Sequence, residues 1–368
     1  MAFKPLTLAN KCIKKDEKLI FFYSNLGFRD NVKAFYDYLI AQKYHEQYKI
    51  VVSINDVEEY IDSAPKNVTF VGNKQGIKYF LKAKYAFYCF GKYPIKPAKS
   101  QMVVNLWHGT PLKKIGNLEN GHENIDYNFF TIVVASSPMY KPIMAKIFGC
   151  REDQVIIAGN PRNDELFVKD EKTDKTIAQG AQKVILWLPT YREYNEDYVV
   201  SLLKKDQLTP LNEKLRIANC RLIIKLHPLQ TASVQNVSYS NIEFATQKDL
   251  NKKKISVYAL LRRADALITD YSSAYFDYML LNRPIAFTVD DIEEYGNKRG
   301  FVFENPFKYM PGMKLTSYED LECYIDDVIQ GKDCFAAERE RINMEINSYN
   351  DGHSCRRLEE KIFGRREQ

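Results

Sequence analysis

Hydrophobic positions along the chain switch repeatedly between a strand-like and a helix-like spacing. Residues 18–24 (KLIFFYS) form a short apolar and aromatic run of strand type. After a glycine-containing loop, Val32, Phe35, Tyr36, Leu39 and Ile40 recur at helical spacing behind a cap at Asp30 or Asn31. Strand-like runs follow at residues 48–54, 67–71, 85–90, 102–107, 131–135 and 154–158, with a helical stretch over 138–148. Short buried strands alternating with helices predict an α/β protein with a parallel, doubly wound sheet.

The pattern pauses over residues 168–182, a polar and charged stretch that suggests a linker, and restarts at 184–188, 221–226, 241–245, 266–269 and 284–289. Helices fit over 256–263 and 273–281. Ser317 with Asp320 makes a capping box for a helix over 318–330, which Gly331 stops. The expected architecture is two Rossmann-like domains, residues 1–167 and 183–368, with parallel sheets facing across a cleft and the last helices packing back on the first domain. A length of 368 residues suits about two domains.

Composition narrows the class. With 45% hydrophobic and 27% charged residues the chain is neither disordered nor fibrous. No run approaches the roughly 18 apolar residues of a membrane span, and the first fifteen residues lack the apolar centre of a signal peptide. A cytoplasmic protein without a transmembrane anchor is expected. Seven cysteines, none in a Cys-x-x-Cys pair, argue against a disulfide framework or a structural zinc site and suggest buried, reduced thiols.

The net charge is only +6, but residues 63–118 contain no Asp or Glu and ten lysines. Aromatics interleave the lysines over residues 78–96. Such a stretch suits nucleic acid, a phosphate-rich polymer or an anionic membrane face; a solvated surface over core aromatics is the alternative. Nucleic acid is disfavoured as a partner, because neither zinc-finger spacing nor an RRM aromatic signature is present.

Candidate chemistry falls just past the carboxyl ends of predicted strands, where parallel sheets bind ligands. His108 follows VVNLW, Tyr191-Arg192 follow VILWLPT, His227 follows LIIKL, and Asp270-Tyr271-Ser272-Ser273 follow ALIT. Four such clusters from both halves imply one site between the domains. His108, beside Gly109 and Thr110, is suited as a neutral imidazole to take a proton from an acceptor hydroxyl. Lys113 and Lys114 are point charges for phosphate or simply solvated. Pro228 halts the ladder, so that His227 is presented for phosphate contact rather than buried in the core. Arg192 offers a planar fork for phosphate oxygens, with an interdomain salt bridge as its alternative. At Ser272 and Ser273 a strand turns directly into a helix, leaving N–H groups and hydroxyls for an anion, or for plain capping. No Gly-x-Gly-x-x-Gly, P-loop, Gly-x-Ser-x-Gly or metal-spaced cluster is present, which disfavours dinucleotide, ATPase, hydrolase and obligatory metal chemistry.

These segments carry a resemblance. Residues 105–114 (NLWHGTPLKK), 159–164 (GNPRND), 188–192 (LPTYR), 225–228 (KLHP) and 268–277 (ITDYSSAYFD) resemble the CDP-glycerol glycerophosphotransferase family of wall teichoic acid synthesis. Residues 282–284, 290–295 and 299–301 extend the likeness, which covers roughly residues 19–357. It implies a GT-B fold and peripheral attachment to the cytoplasmic face of the plasma membrane. It also implies transfer of glycerol phosphate from CDP-glycerol to a lipid-linked saccharide acceptor of the undecaprenyl diphosphate type, with release of CMP. His108 is then the base, with Arg192 and His227 also catalytic. Ser272 and Ser273 contact donor phosphates, and Thr110, Lys113, Asn160, Arg162, Thr190 and Asp270 are expected substrate contacts within the same motifs. No cofactor or metal is expected to be required, although a divalent cation can stimulate such chemistry. The acidic run 290–294 suits either a ribose contact or an exposed turn. Length resembles the priming enzymes, without excluding a polymerase. The alternatives are a CDP-ribitol-dependent enzyme and a GT-B glycosyltransferase such as a CMP-sialic acid-dependent sialyltransferase, which shares His-Pro and Ser-Ser elements.

Overall fold

The strand runs assemble into two parallel sheets, each in its own unit, in a computed structural model that describes residues 3–190, 198–226 and 238–364. One unit comprises Met1–Thr110, Ile115–Asp164 and Ile346–Gln368; the other comprises Pro111–Lys114 and Glu165–Glu345. The first sheet contains β1 (Asp16–Tyr23), β2 (Lys49–Ile54), β3 (Val68–Gly72), β4 (Ala83–Tyr88), β5 (Met102–Asn105), β6 (Ile132–Ala135) and β7 (Val155–Ile157). They lie in the order β3-β2-β1-β4-β5-β6-β7, all parallel. Both faces of β1 are covered, so Ile20, Phe21 and Phe22 are buried without polar alternation. The helix Asp30–Ala41 lays Val32, Phe35 and Leu39 into this core, and the helix Ser354–Phe363 adds Cys355, Leu358 and Ile362. The strand order reverses between β1 and β4, and the crevice beyond the carboxyl ends there is the binding position of such sheets.

The second unit holds β8 (Lys183–Leu188), a hairpin of β9 (Tyr198–Val200) and β10 (Leu203–Lys204), then β11 (Cys220–Lys225), β12 (Ile242–Ala245), β13 (Ala266–Thr269), β14 (Ile285–Thr288) and β15 (Met313–Leu315). The six-stranded sheet runs β12-β11-β8-β13-β14-β15, again parallel. Its order reverses between β8 and β13, whose ends carry Thr190 and Asp270. Trp187, next to the carboxyl end of β8, is fully buried. The helix Tyr318–Gln330 begins with the expected Ser317–Asp320 box and ends at Gly331 in the left-handed region, φ +74°.

Four expectations change. Residues 168–182 are not a bare linker: Glu171–Ala178 is a helix whose Asp170 cap accepts the Thr173 N–H at 3.1 Å. Its Asp174 pairs with buried Arg262 at 2.9 Å, and Ile177 and Ala178 are buried; one covered face needs few apolar residues. The helix expected over residues 273–281 is a short α-helix, Ala274–Tyr278, followed by a 3₁₀ turn, Met279–Leu281. The cysteines are all free, but only Cys89, Cys220 and Cys355 are buried, while Cys12, Cys323 and Cys334 are exposed. In the acid-free stretch Phe80 and Tyr93 fill the core rather than face a membrane, and Phe87 and Tyr88 are core residues as the strand-like run 85–90 implies. Lys84 pairs with Glu17 at 3.5 Å and Lys96 with Asp126 at 2.6 Å, whereas Lys74, Lys78 and Lys82 on the helix Asn73–Lys82 are exposed.

Candidate active site

In the first unit β5 ends at Asn105, whose Oδ1 accepts the Trp107 N–H at 3.0 Å. Trp107 then adopts a left-handed backbone, φ +54°, and Gly109 follows with φ +114°. This double turn takes the chain out of the sheet and leaves His108 half-buried at its apex. The imidazole stacks on Phe90, with centroids 5.0 Å apart and planes at 21°, and lies 3.8 Å from the Trp107 ring. Its Nδ1 is buried with no hydrogen-bond partner among the described residues. Burial pushes the His108 pKa down to about 4; Asp30 and the Cys89 carbonyl oppose the shift and Arg162 reinforces it. The ring is therefore a neutral proton acceptor at neutral pH.

Around it the structure gives Asp30, Asn31 and Arg162 parts that no local signal marks. Asp30, expected as a helix cap, sits inside the first turn with φ +63°, and the cap position is Arg29, which makes no side-chain cap bond. Asp30 instead accepts the Arg162 guanidinium at 2.7 Å. Asn31 is fully buried and donates to the carbonyls of Leu106 at 3.1 Å and Trp107 at 2.9 Å. Arg162, expected at a phosphate, is 7% exposed and donates to the His108 carbonyl at 2.9 Å. Thr110 and Asn160 are buried, and the Asn160 carbonyl accepts the Asn163 N–H at 2.9 Å. The same 159–164 segment seats the helix Ser354–Phe363. Asp164 accepts the N–H groups of Ser354 and Cys355, both at 2.8 Å, and a Cβ at Gly159 (φ +80°) would stand 2.7 Å from the Ser354 hydroxyl.

In the second unit Asp270 is fully buried between two loops. It accepts the Thr190 N–H at 2.7 Å, the Thr190 hydroxyl at 2.7 Å and the Ser272 N–H at 3.1 Å. Thr190 and Asp270 thus hold each other and shape the two loops. Ser272 and Ser273 are half-buried at the start of the helix Ala274–Tyr278, and Ser273 makes no side-chain cap bond. Residues 111–114 belong to this unit. The Lys114 N–H donates to the Gly300 carbonyl at 3.1 Å and the Val302 N–H to the Leu112 carbonyl at 2.8 Å. Lys113 lies 5.6 Å from the ring centroid of Tyr295, which packs with Tyr271 at 4.5 Å and Phe301 at 5.8 Å. The acidic run is tied down too: Ser201 donates to Asp290 at 2.6 Å and Tyr271 to Asp291 at 3.0 Å. Arg192 and His227 lie outside the described residues.

Two doubly wound parallel-sheet units, with a neutral histidine at one strand end and a hydroxyl-rich helix start at another, are the elements of a GT-B-like transferase. The chain belongs to the CDP-glycerol:poly(glycerophosphate) glycerophosphotransferase family, whose profile matches residues 6–364. It is 29% identical over 338 residues to the teichoic acid poly(glycerol phosphate) polymerase of Bacillus spizizenii, covering 83% of this chain and 82% of that one. Against the teichoic acid glycerol-phosphate primase of Bacillus subtilis the identity is 28%, covering 71% and 67%. Its fold matches that of a histidine-to-asparagine variant of the wall teichoic acid polymerase TagF soaked with CDPG, with a TM-score of 0.78 at 22% identity over 97% of this chain and 91% of the other.

Proposed function

We propose that the protein transfers glycerol phosphate from CDP-glycerol to a hydroxyl of a lipid-linked acceptor and releases CMP. The acceptor oxygen forms a bond to the β-phosphorus, and the bond from that phosphorus to the bridging oxygen breaks. CMP leaves with the electron pair, and the hydroxyl proton passes to His108. The observation that carries this reading is a neutral imidazole at the end of β5 with a buried, unpartnered Nδ1 among the described residues. Free, the ring is a weak base. A pyrophosphate dianion nearby would raise its proton affinity, so basicity would rise when the donor is bound. Ser272 and Ser273, on loops shaped by Asp270, would hold donor phosphate with Arg192 and His227, stabilising the charge that shifts to CMP.

Attachment to an anionic membrane surface at the cytoplasmic face is part of the same reading, because a lipid-linked acceptor stays at the bilayer. It is supported by the exposed Lys74, Lys78 and Lys82. Among the described residues no helix is long and apolar enough to cross a membrane. The deciding experiment offers CDP-glycerol, CDP-ribitol, CMP-sialic acid and nucleotide sugars, each with the lipid acceptor. CMP release with polyol phosphate transfer from CDP-glycerol is expected. Turnover confined to CMP-sialic acid or to a sugar donor overturns the assignment.

A further inference from the structure

We propose that the Asp30–Arg162 ion pair, whose guanidinium is buried, and Asn31 form a positioning clamp that sets the orientation of His108 for proton transfer. The proposal rests on His108 being the base. Three successive carbonyls, those of Leu106, Trp107 and His108, leave the sheet beyond β5, where no neighbouring strand in regular register would pair them. Asn31 takes the first two at 3.1 and 2.9 Å, and Arg162 takes the third at 2.9 Å. The clamp is closed on itself. The Arg162 N–H donates to Asn31 Oδ1 at 3.1 Å, Arg162 Nη1 to Asp30 Oδ2 at 2.7 Å, and the Asn31 N–H to Asp30 Oδ1 at 2.7 Å.

Two non-glycine residues are left-handed here, Asp30 at φ +63° and Trp107 at φ +54°. Such conformations persist only where the surroundings over-determine them. The clamp supplies that determination: Asp30 turns its carboxylate to Arg162, and Trp107 turns its carbonyl to Asn31. A pair serving stability alone has no reason to grip the one irregular stretch carrying the histidine. The charges matter as well. Asp30 raises and Arg162 lowers the proton affinity of His108, so the two members of the pair act on the base in opposite directions. Breaking one partner would leave the base both loose and electrostatically biased.

The test uses the full-length enzyme with CDP-glycerol and lipid acceptor. Arg162→Lys keeps the charge but loses the fork. It should lower kcat by about 10- to 100-fold with KM for CDP-glycerol little changed, the signature of a displaced base. The His108 imidazole titration, followed by NMR and assigned with His108→Gln, should move up in Arg162→Met and down in Asp30→Asn. Because the charges by themselves move the titration, the deciding readout is kcat in the charge-keeping Arg162→Lys: a role confined to stability would leave kcat of the folded variant unchanged and appear only as a lower Tm. If Arg162→Met does not fold, Arg162→Lys and Asp30→Asn still decide. Wild-type kcat in both, or unmoved titration in Asp30→Asn, overturns the clamp. An active His108→Ala enzyme would instead overturn the base assignment, and the titration shifts would still report the coupling between the pair and the ring.

Discussion

Asp270 holds Thr190 twice, accepting its backbone N–H and its hydroxyl at 2.7 Å each, so one carboxylate from the end of β13 fixes the loop leaving β8. The third bond, from the Ser272 N–H, fixes its own loop. Asp270→Asn puts an amide N–H against one of these donors, and should cost about 1–3 kcal/mol of stability as a buried donor is left unsatisfied. Thr190→Val keeps the shape and removes one bond, for about 1 kcal/mol. Urea denaturation measures both, and calorimetry should show weaker CDP-glycerol binding by Asp270→Asn. Wild-type stability in Asp270→Asn would mean that the carboxylate holds nothing together.

His108→Ala should lower turnover by about 10²- to 10⁴-fold with little change in donor affinity, as expected for loss of a general base. Single-turnover kinetics together with donor titration separates the two quantities. A folded variant that turns over at the normal rate removes His108 from the chemistry.

Burial also links His108 to folding. Its pKa falls from 6.5 to about 4 on folding, so between these values the unfolded chain binds a proton that the native state does not. The stability from this group is complete above about pH 6.5 and is lost as pH falls toward 4, by roughly 3 kcal/mol at the limit. Denaturation curves across that window should be less pH-dependent for His108→Gln. Equal pH slopes for the two proteins would contradict the shift.

Replacing Arg192 or His227 with Ala should weaken donor binding and lower turnover together, because their phosphate partners carry charge both before and during reaction. Steady-state kinetics with varied CDP-glycerol checks this. A change in acceptor KM alone would move these residues to the acceptor side. Activity should persist in EDTA, with any gain on adding a divalent cation being stimulation rather than restoration.

Membrane binding should depend on charge. Each lysine near an anionic surface contributes about 1 kcal/mol, so the triple change of Lys74, Lys78 and Lys82 to Glu should abolish co-sedimentation with anionic vesicles at moderate salt. Binding by the unaltered protein should itself fall steeply as salt rises. Equal binding to neutral and anionic vesicles would remove this surface from consideration.

Most strands were visible in the sequence because both faces of a parallel sheet are covered: VILWL and ALIT announce themselves as β8 and β13. His108 and Asp270 were visible as polar residues at the ends of such runs. The parts played by Asp30, Asn31 and Arg162 were not, since Arg162 lies 132 residues from Asp30 and no local pattern encodes that meeting. The helix Glu171–Ala178 was missed because a one-sided contact leaves six of its eight positions outside the core. Phe80 and Tyr93 lie in the core although lysines interleaved with aromatics also suit a membrane face, because composition does not encode which side chains become covered.

Neither structural unit is a continuous stretch of chain. The first lacks the helix Ser354–Phe363, which begins 190 residues after Asp164, until that later stretch has been synthesised, and the second includes four residues, Pro111–Lys114, made before any of its strands. During translation the β1–β7 sheet therefore emerges with Cys355, Leu358 and Ile362 still missing from its core. A cut between Asp164 and Glu165 would separate each unit from a segment it contains. The contacts of each unit are therefore complete only after its later segments have been made, and fragments chosen as halves are poor candidates for independent expression.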